Sequence, residues 1–179
     1  MCAPHRPTDI TRRHFTGLAL AAAGLSLWPW RASAEDGPLA DTLAIMCIDY
    51  RLVAPSVQQL DFLTSQSKKF DLVAMAGASL AGTRTRPFPK EYPGFWEQVQ
   101  IAKTVHPKIE RVIVIDHREC GAFAAVYGEL TGDEEKRKHL EVMTKVQDQF
   151  LRRHKLPSEF WLMSKAQDTW TPERLLPAR

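Results

Sequence analysis

The chain alternates between short, continuous apolar runs and longer stretches in which apolar residues repeat every three or four positions. Continuous runs are typical of strands buried on both faces of a parallel sheet, and they occupy residues 42–47, 71–76 and 111–116. Helical repeats follow each run, at residues 54–63, 95–105 and 133–154. This alternation predicts an α/β fold of three layers, α/β/α, with a mainly parallel central sheet.

Other segments complete the predicted layout. A further helix is expected directly after Cys120, and residues 160–163 are expected to form a last, edge strand. Residues 79–94 are rich in Gly, Pro, Arg and Lys without periodicity, which predicts a long surface loop. Two histidines of the long charged helix, His139 and His154, are expected to be exposed to solvent.

The first 34 residues have a three-part pattern that resembles a bacterial twin-arginine export signal. Arg12 and Arg13 precede an apolar run at residues 17–30, which ends in the Ala-Ser-Ala sequence of residues 32–34. A membrane anchor or a surface helix is the alternative, although the run is short for a membrane span, which needs about 20 apolar residues. We expect a signal peptide at 1–34, one domain at 35–179, and a periplasmic or exported protein that meets the membrane only transiently during export.

The charge balance of the remaining chain argues against nucleic acid as a partner. Of the 24 basic and 21 acidic residues, four arginines and one aspartate lie in the first 34 positions, which leaves 20 of each sign. Proteins that bind nucleic acid usually carry a basic face, because phosphate contacts supply much of the affinity. We therefore expect no nucleic-acid partner.

Side chains capable of metal chemistry follow two of the predicted strands. Cys47 ends the first apolar run, and His117 and Cys120 follow the third. Ligands of parallel α/β sheets bind beyond the carboxyl ends of the strands, so these three side chains are expected to meet at one edge. Two thiolates and an imidazole suit Zn²⁺ with a fourth position open, as in catalytic sites. A disulfide between Cys47 and Cys120 is the alternative, because an exported protein meets oxidising conditions.

Neighbouring residues add to this candidate site. Asp49 and Arg51 lie two positions apart, so on an extended stretch both side chains point the same way. Arg51 would then hold the Asp49 carboxylate in its ionised, hydrogen-bond-accepting form, although a purely structural ion pair fits as well. Gly121 would open a helix whose first amides favour a thiolate at Cys120. Asp116 either supports His117 or caps the following turn.

Three short motifs of the chain resemble the signatures of the β-class carbonic anhydrases. They are Cys-Ile-Asp-Tyr-Arg at 47–51, Ala-Gly at 76–77 and His-Arg-Glu-Cys-Gly-Ala at 117–122. The resemblance covers roughly residues 43–127 and implies a β-carbonic-anhydrase-like fold. It also implies that Cys47, His117 and Cys120 bind zinc.

The resemblance further implies an enzyme, a zinc lyase that hydrates CO₂ reversibly to bicarbonate and a proton. Asp49 and Arg51 would form its catalytic dyad, and we place Gly77 and Gly121 beside the substrate. A homodimer or a higher homo-oligomer is implied as well. Two alternatives remain at this point: a hydrolase of COS or CS₂ on the same scaffold, and a non-catalytic zinc-binding protein.

Overall fold

The computed structural model of the chain describes residues 40–64, 69–87 and 89–179. In these residues five strands form one sheet in the order β2-β1-β3-β4-β5. The first four strands run parallel, and β5 pairs antiparallel with β4. The strands are β1 Thr42–Cys47, β2 Phe70–Met75, β3 Arg111–His117, β4 Ser158–Ala166 and β5 Thr169–Leu176.

Helices connect the parallel strands, as the sequence pattern predicts. They are α1 Val53–Leu63, α2 Glu91–Val105, α3 Gly121–Tyr127 and α4 Gly132–Gln149, and α4 continues into a π turn at Phe150–His154. The chain moves from β1 to β2 in one direction across the sheet and then returns past β1 to β3. Because crossovers between parallel strands are right-handed, this reversal puts α1 on one face and the later helices on the other. The three-layer, mainly parallel α/β class is therefore confirmed.

The central strands form the core of the sheet. All six residues of β1 are buried, and so are all residues of β3 after Arg111. The apolar run at residues 71–76 forms β2 as expected, but this strand is only partly buried because it lies at an edge of the sheet. The burial expected of a strand covered on both faces is therefore confirmed for β1 and also found in β3, whereas β2 is only partly covered.

The predicted surface loop at residues 79–94 is wrong at both of its ends. Residues Ala78–Gly82 form a buried 3₁₀ turn, and helix α2 already begins at Glu91. The turn fits inside because its side chains are small or apolar: a Cβ on Gly82 would lie only 3.0 Å from Val146 Cγ2. Sequence composition indicated a loop, but close packing against α2 and α4 decided its burial.

The carboxyl-terminal part of the sheet also differs from the prediction. Residues 160–163 are in a strand, but β4 pairs on both sides and is not an edge. The outermost strand on this side of the sheet is β5. The sequence pattern did not predict this strand, because Pro172 interrupts its run of residues. A proline is tolerated there because the outer side of an edge strand needs no hydrogen-bond donor.

The predicted export signal at residues 1–34 lies outside the described residues. Within the part of the chain that the structure covers, we find no helix with both the length and the apolar character needed to cross a membrane.

Candidate metal centre

The candidate site lies at the carboxyl ends of β1 and β3, where the chain reverses its direction across the sheet. Met46 of β1 pairs with Ile115 of β3, so Cys47 and His117, the last residues of these strands, lie at the same end of the sheet. Cys120 follows three residues later and immediately precedes α3. Such a switch point is where open α/β sheets bind ligands, because the two outgoing loops separate and leave a crevice.

The three predicted ligands converge as expected. One donor atom from each of Cys47, His117 and Cys120 lies within 4.8 Å of the other two, and all three residues are buried. The two Sγ atoms are 3.9 Å apart. Tetrahedral zinc with Zn–S bonds of about 2.3 Å separates two sulfur ligands by about 3.8 Å. The observed spacing therefore fits a shared metal ion.

The orientation of His117 supports the same conclusion. Its Nδ1 lies 2.8 Å from the backbone carbonyl of Arg118, and a carbonyl only accepts, so Nδ1 carries the proton. This leaves a lone pair on Nε2, which is buried and has no hydrogen-bond partner among the described residues. A buried nitrogen acceptor without a partner is costly, and metal-binding histidines characteristically donate their other nitrogen to a carbonyl. The donor set thus fits Zn²⁺.

Electrostatics divide the two thiols into a thiolate and a protonated partner. The hydrogen bond from Cys120 lowers the pKa of Cys47, with a smaller contribution from the Gly77 amide, which lies 3.3 Å from the sulfur. The same contact raises the pKa of Cys120, because a second negative charge beside Cys47 is unfavourable. Both cysteines are free thiols rather than a disulfide. A divalent cation would offset this repulsion and favour both thiolates.

His117 responds to the same charge. Burial disfavours its imidazolium form, but the contact with the Cys47 thiolate, the Arg118 carbonyl and the charge of Asp49 together raise the pKa of His117. The imidazole and the two thiols thus form one tightly coupled group in which protons and a metal ion would compete for the same donor atoms.

Asp49 and Arg51 form a pair beside the three donors. Arg51 Nε donates to Asp49 Oδ1 at 3.0 Å, and Arg51 Nη2 donates to Oδ2 at 2.6 Å. The backbone amide of Arg51 also donates to Oδ1. These hydrogen bonds from Arg51 lower the pKa of Asp49 to about 2, so the carboxylate stays ionised at neutral pH. Asp49 Oδ2 is 3.8 Å from His117 Nε2, which places this acceptor at the rim of the donor cluster.

The two predicted substrate-binding glycines have different settings. Gly77 begins the buried turn with a φ of 72°, and a Cβ there would lie 3.0 Å from Leu80 Cβ and 3.1 Å from Ala122 Cβ. Glycine is thus required at this position, where its amide contacts Cys47. Gly121 opens α3 as expected, but a Cβ on it would meet no atom within 4 Å. A contact of either glycine with substrate stays a prediction.

Sequence reasoning missed several residues around the centre. Trp170, from the unpredicted strand β5, stands edge-on to the His117 ring with centroids 6.3 Å apart. His139 was expected on the surface, but it is 0% exposed and hydrogen-bonded to Asp116. His139 lies seven residues before the buried Val146, and Glu135 lies four residues before His139. The helical repeat of α4 therefore places all three on one face, which indicates that His139 and Glu135 are buried.

Known proteins resemble the chain only distantly. No family model matches it. An uncharacterised protein of Rickettsia bellii is 31% identical over 109 residues, which are 59% of this chain and 65% of that protein. An uncharacterised protein of Rickettsia conorii is 29% identical over 117 residues, 61% of this chain and 59% of that protein. The match thus spans less than two thirds of each relative.

The solved structures whose backbone is similar to that of this chain include three β-carbonic anhydrases. A tetrameric enzyme of Sordaria macrospora is 14% identical, with 88% of this chain and 93% of that chain covered and a TM-score of 0.41. CafA of Aspergillus fumigatus is 12% identical, with coverages of 90% and 86% and a TM-score of 0.45. The enzyme CcaA is 14% identical, with coverages of 92% and 85% and a TM-score of 0.46. Because each TM-score is below 0.5, we base the functional inference on the geometry of the site.

Proposed function

We propose that this protein is a zinc-dependent carbonic anhydrase that hydrates CO₂ reversibly to bicarbonate and a proton. The observation that carries the proposal is the set of three buried donor atoms, in which His117 Nε2 has no partner among the described residues. The set has three donors among the described residues, whereas a closed structural zinc site has four protein ligands, and the Asp49 carboxylate lies at its rim.

Cys47, His117 and Cys120 would hold the metal ion. When bound, Zn²⁺ would supply Lewis acidity, which lowers the pKa of a water molecule so that a nucleophile is available near neutral pH. The resemblance of the motifs at 47–51 and 117–122 to the β-class enzymes supports this assignment of ligands.

The other residues of the site have roles that follow from their contacts. Asp49 accepts hydrogen bonds, so its carboxylate can orient a water molecule at the rim of the donor set toward CO₂. Arg51 keeps that carboxylate ionised and fixes its rotamer through the two-pronged contact. The Arg51 side chain is partly exposed, so the pair lies close to solvent, to which the proton released on hydration must pass.

Metal content and turnover together test the proposal. We expect the purified mature protein to contain about one Zn²⁺ per chain, since two thiolates and a neutral imidazole offset the +2 charge of the ion and bind it tightly. Stopped-flow measurement of CO₂ hydration should then exceed the buffer rate and disappear after removal of the metal. Full zinc occupancy with only the buffer rate would reject catalysis, and a rate seen with COS or CS₂ alone would indicate the hydrolase instead.

We also propose that the protein self-associates near this site. Large apolar side chains close to Cys47 in the chain are exposed: Tyr50 is 84% exposed, and Ile48 and Val53 are also exposed. Surface clusters of this kind commonly mark interfaces between subunits. Light scattering coupled to size-exclusion chromatography should give the mass of a dimer or larger assembly, and a monomer at micromolar concentration would contradict the proposal.

Export by the twin-arginine route is the remaining proposal, supported by the pattern of residues 1–34. Replacement of Arg12 and Arg13 by lysine should retain the protein in the cytoplasm, because the arginine pair is the feature that the route reads. Cell fractionation measures the change, and unaltered export of the double variant would contradict the assignment.

A further inference from the structure

A buried carboxylate lies directly behind the candidate metal ligands. Asp116 is 1% exposed and precedes His117 on β3. Its Oδ1 accepts a hydrogen bond from the Ser79 amide at 2.9 Å, and its Oδ2 accepts one from the Ser79 hydroxyl at 2.5 Å. The same Oδ2 lies 2.9 Å from Nδ1 of His139 on helix α4, and that nitrogen donates because a carboxylate only accepts.

This carboxylate also supports the turn that contacts Cys47. The turn has positive φ at two consecutive residues, 72° at Gly77 and 40° at Ala78. An alanine in that region is strained and stays there only when its surroundings hold it. Ser79, the next residue, is held by both oxygens of Asp116, and the Gly77 amide then donates to Cys47 Sγ at 3.3 Å.

A second acid of α4 holds the loop between the other two ligands. Glu135 is 6% exposed, and its Oε1 accepts a hydrogen bond from the Glu119 amide at 2.6 Å. Its Oε2 accepts one from Arg118 Nη1 at 3.2 Å. Glu119 has a φ of 56°, which a residue with a side chain rarely adopts, so the loop between His117 and Cys120 depends on this contact.

Both side chains come from one face of the same helix. Glu135 and His139 are four residues apart on α4, which puts them on successive turns. The His139 ring also stacks on Phe123 with centroids 3.8 Å apart, and Phe123 belongs to α3, the helix that begins directly after Cys120. One helix face thus contacts the loop before Cys120 and the helix after it, and it reaches the turn beside Cys47 only through Asp116.

We propose that Glu135 and His139 are positioning residues of the metal centre, which hold its three ligands at the spacing that a metal ion requires. The proposal rests on the metal centre described above and deepens it. Glu135 acts through the Glu119 amide, and His139 acts through Asp116 and Phe123. Outer contacts of this kind typically change metal affinity 10- to 100-fold when they are removed.

The alternative is that these buried hydrogen bonds only stabilise the fold, and a control on the same helix separates the two. Gln147 is buried on α4, and its Nε2 donates to the carbonyls of Ser158 at 2.7 Å and Pro177 at 2.9 Å. Neither partner lies beside a ligand. Gln147→Ala therefore removes buried hydrogen bonds of α4 without touching the metal centre.

The test is Co²⁺ binding to the metal-free mature protein, followed by absorption of the thiolate–cobalt bands and by competition with a chelator. We expect Glu135→Ala and His139→Phe to weaken Co²⁺ binding about 10- to 100-fold and to alter the bands. His139→Phe keeps the stacking on Phe123 but loses the donor to Asp116, so His139→Asn, which restores a donor, should recover part of the affinity. Gln147→Ala should lower the melting temperature while its Co²⁺ affinity stays within about twofold of the unmodified protein.

Each outcome decides the question. Affinities and spectra of Glu135→Ala and His139→Phe that match the unmodified protein would overturn the proposal, as would an equal loss in Gln147→Ala. If the first two variants do not fold, the milder Glu135→Gln and His139→Asn are measured against the same criterion. Failure of the unmodified protein to bind Co²⁺ would overturn the metal centre and this proposal together. Tight, variant-sensitive Co²⁺ binding without CO₂ hydration would reject only the proposed activity.

Discussion

Asp49→Asn is expected to lower the rate of CO₂ hydration by about 100-fold or more while the zinc content stays at one per chain. The substitution keeps the size of the side chain but removes the charge that Arg51 holds in place. An amide accepts hydrogen bonds more weakly than a carboxylate, so it orients water poorly, and positioned acid–base groups contribute about 10²- to 10⁴-fold to rates. Stopped-flow kinetics and metal analysis on the same sample measure the two quantities.

Asp71→Asn is the matched control for this prediction. Asp71 is also an aspartate with a basic partner, since its Oδ2 lies 2.7 Å from His106 Nδ1. It lies near the amino end of β2, whereas the metal ligands follow the carboxyl ends of their strands. The control should retain the full rate. An Asp49→Asn enzyme with unchanged turnover would reject the catalytic role and leave Asp49 as half of a structural ion pair.

His117→Ala is expected to abolish stoichiometric zinc binding. The variant leaves two thiols as the remaining protein ligands of the cluster, and loss of one of three ligands costs more than the 10- to 100-fold typical of an outer contact. Zinc should fall below about 0.1 per chain after dialysis against a chelator, with CO₂ hydration reduced to the buffer rate. Plasma emission spectrometry of the dialysed protein measures the content.

His106→Ala serves as the control, because this histidine contacts Asp71 near the amino end of β2 and is not part of the candidate metal centre. It should keep its zinc and its activity. Full zinc retention by His117→Ala would show that the metal binds elsewhere, and it would remove the basis of the proposed function.

The strands that carry the site were predictable because their pattern is local. Continuous apolar runs at β1 and β3 end in Cys47 and His117, and strand ends of a parallel sheet lie at one edge whatever the details of packing. Asp49 and Arg51 are paired as expected, but not on an extended stretch: Arg51 lies in a 3₁₀ turn, Tyr50–Leu52, and Asp49 caps that turn by accepting from the Arg51 amide.

Helix α4 shows where the charged composition of a segment led to a wrong expectation. Its composition is highly charged, which indicated solvent exposure for His139, yet the face that packs on the sheet includes both Glu135 and His139. Leu140, the apolar neighbour of His139 on this helix, is exposed. Charged residues are rarely buried unless they are paired, and the partners of Glu135 and His139 are the Glu119 amide and Asp116, which lie on other elements.

The sequence by itself determined the order of the strands up to β4, the end of the sheet at which the candidate side chains collect, and that Cys47, His117 and Cys120 meet there with Asp49 nearby. Only the tertiary structure decided that the residues at 78–82 are buried, that Asp116 joins Ser79 to His139, and that Glu135 of α4 binds the amide of Glu119. The physical reason is range: periodicity and strand ends are properties of neighbouring residues, whereas the burial and pairing of a polar side chain depend on elements far apart in the chain.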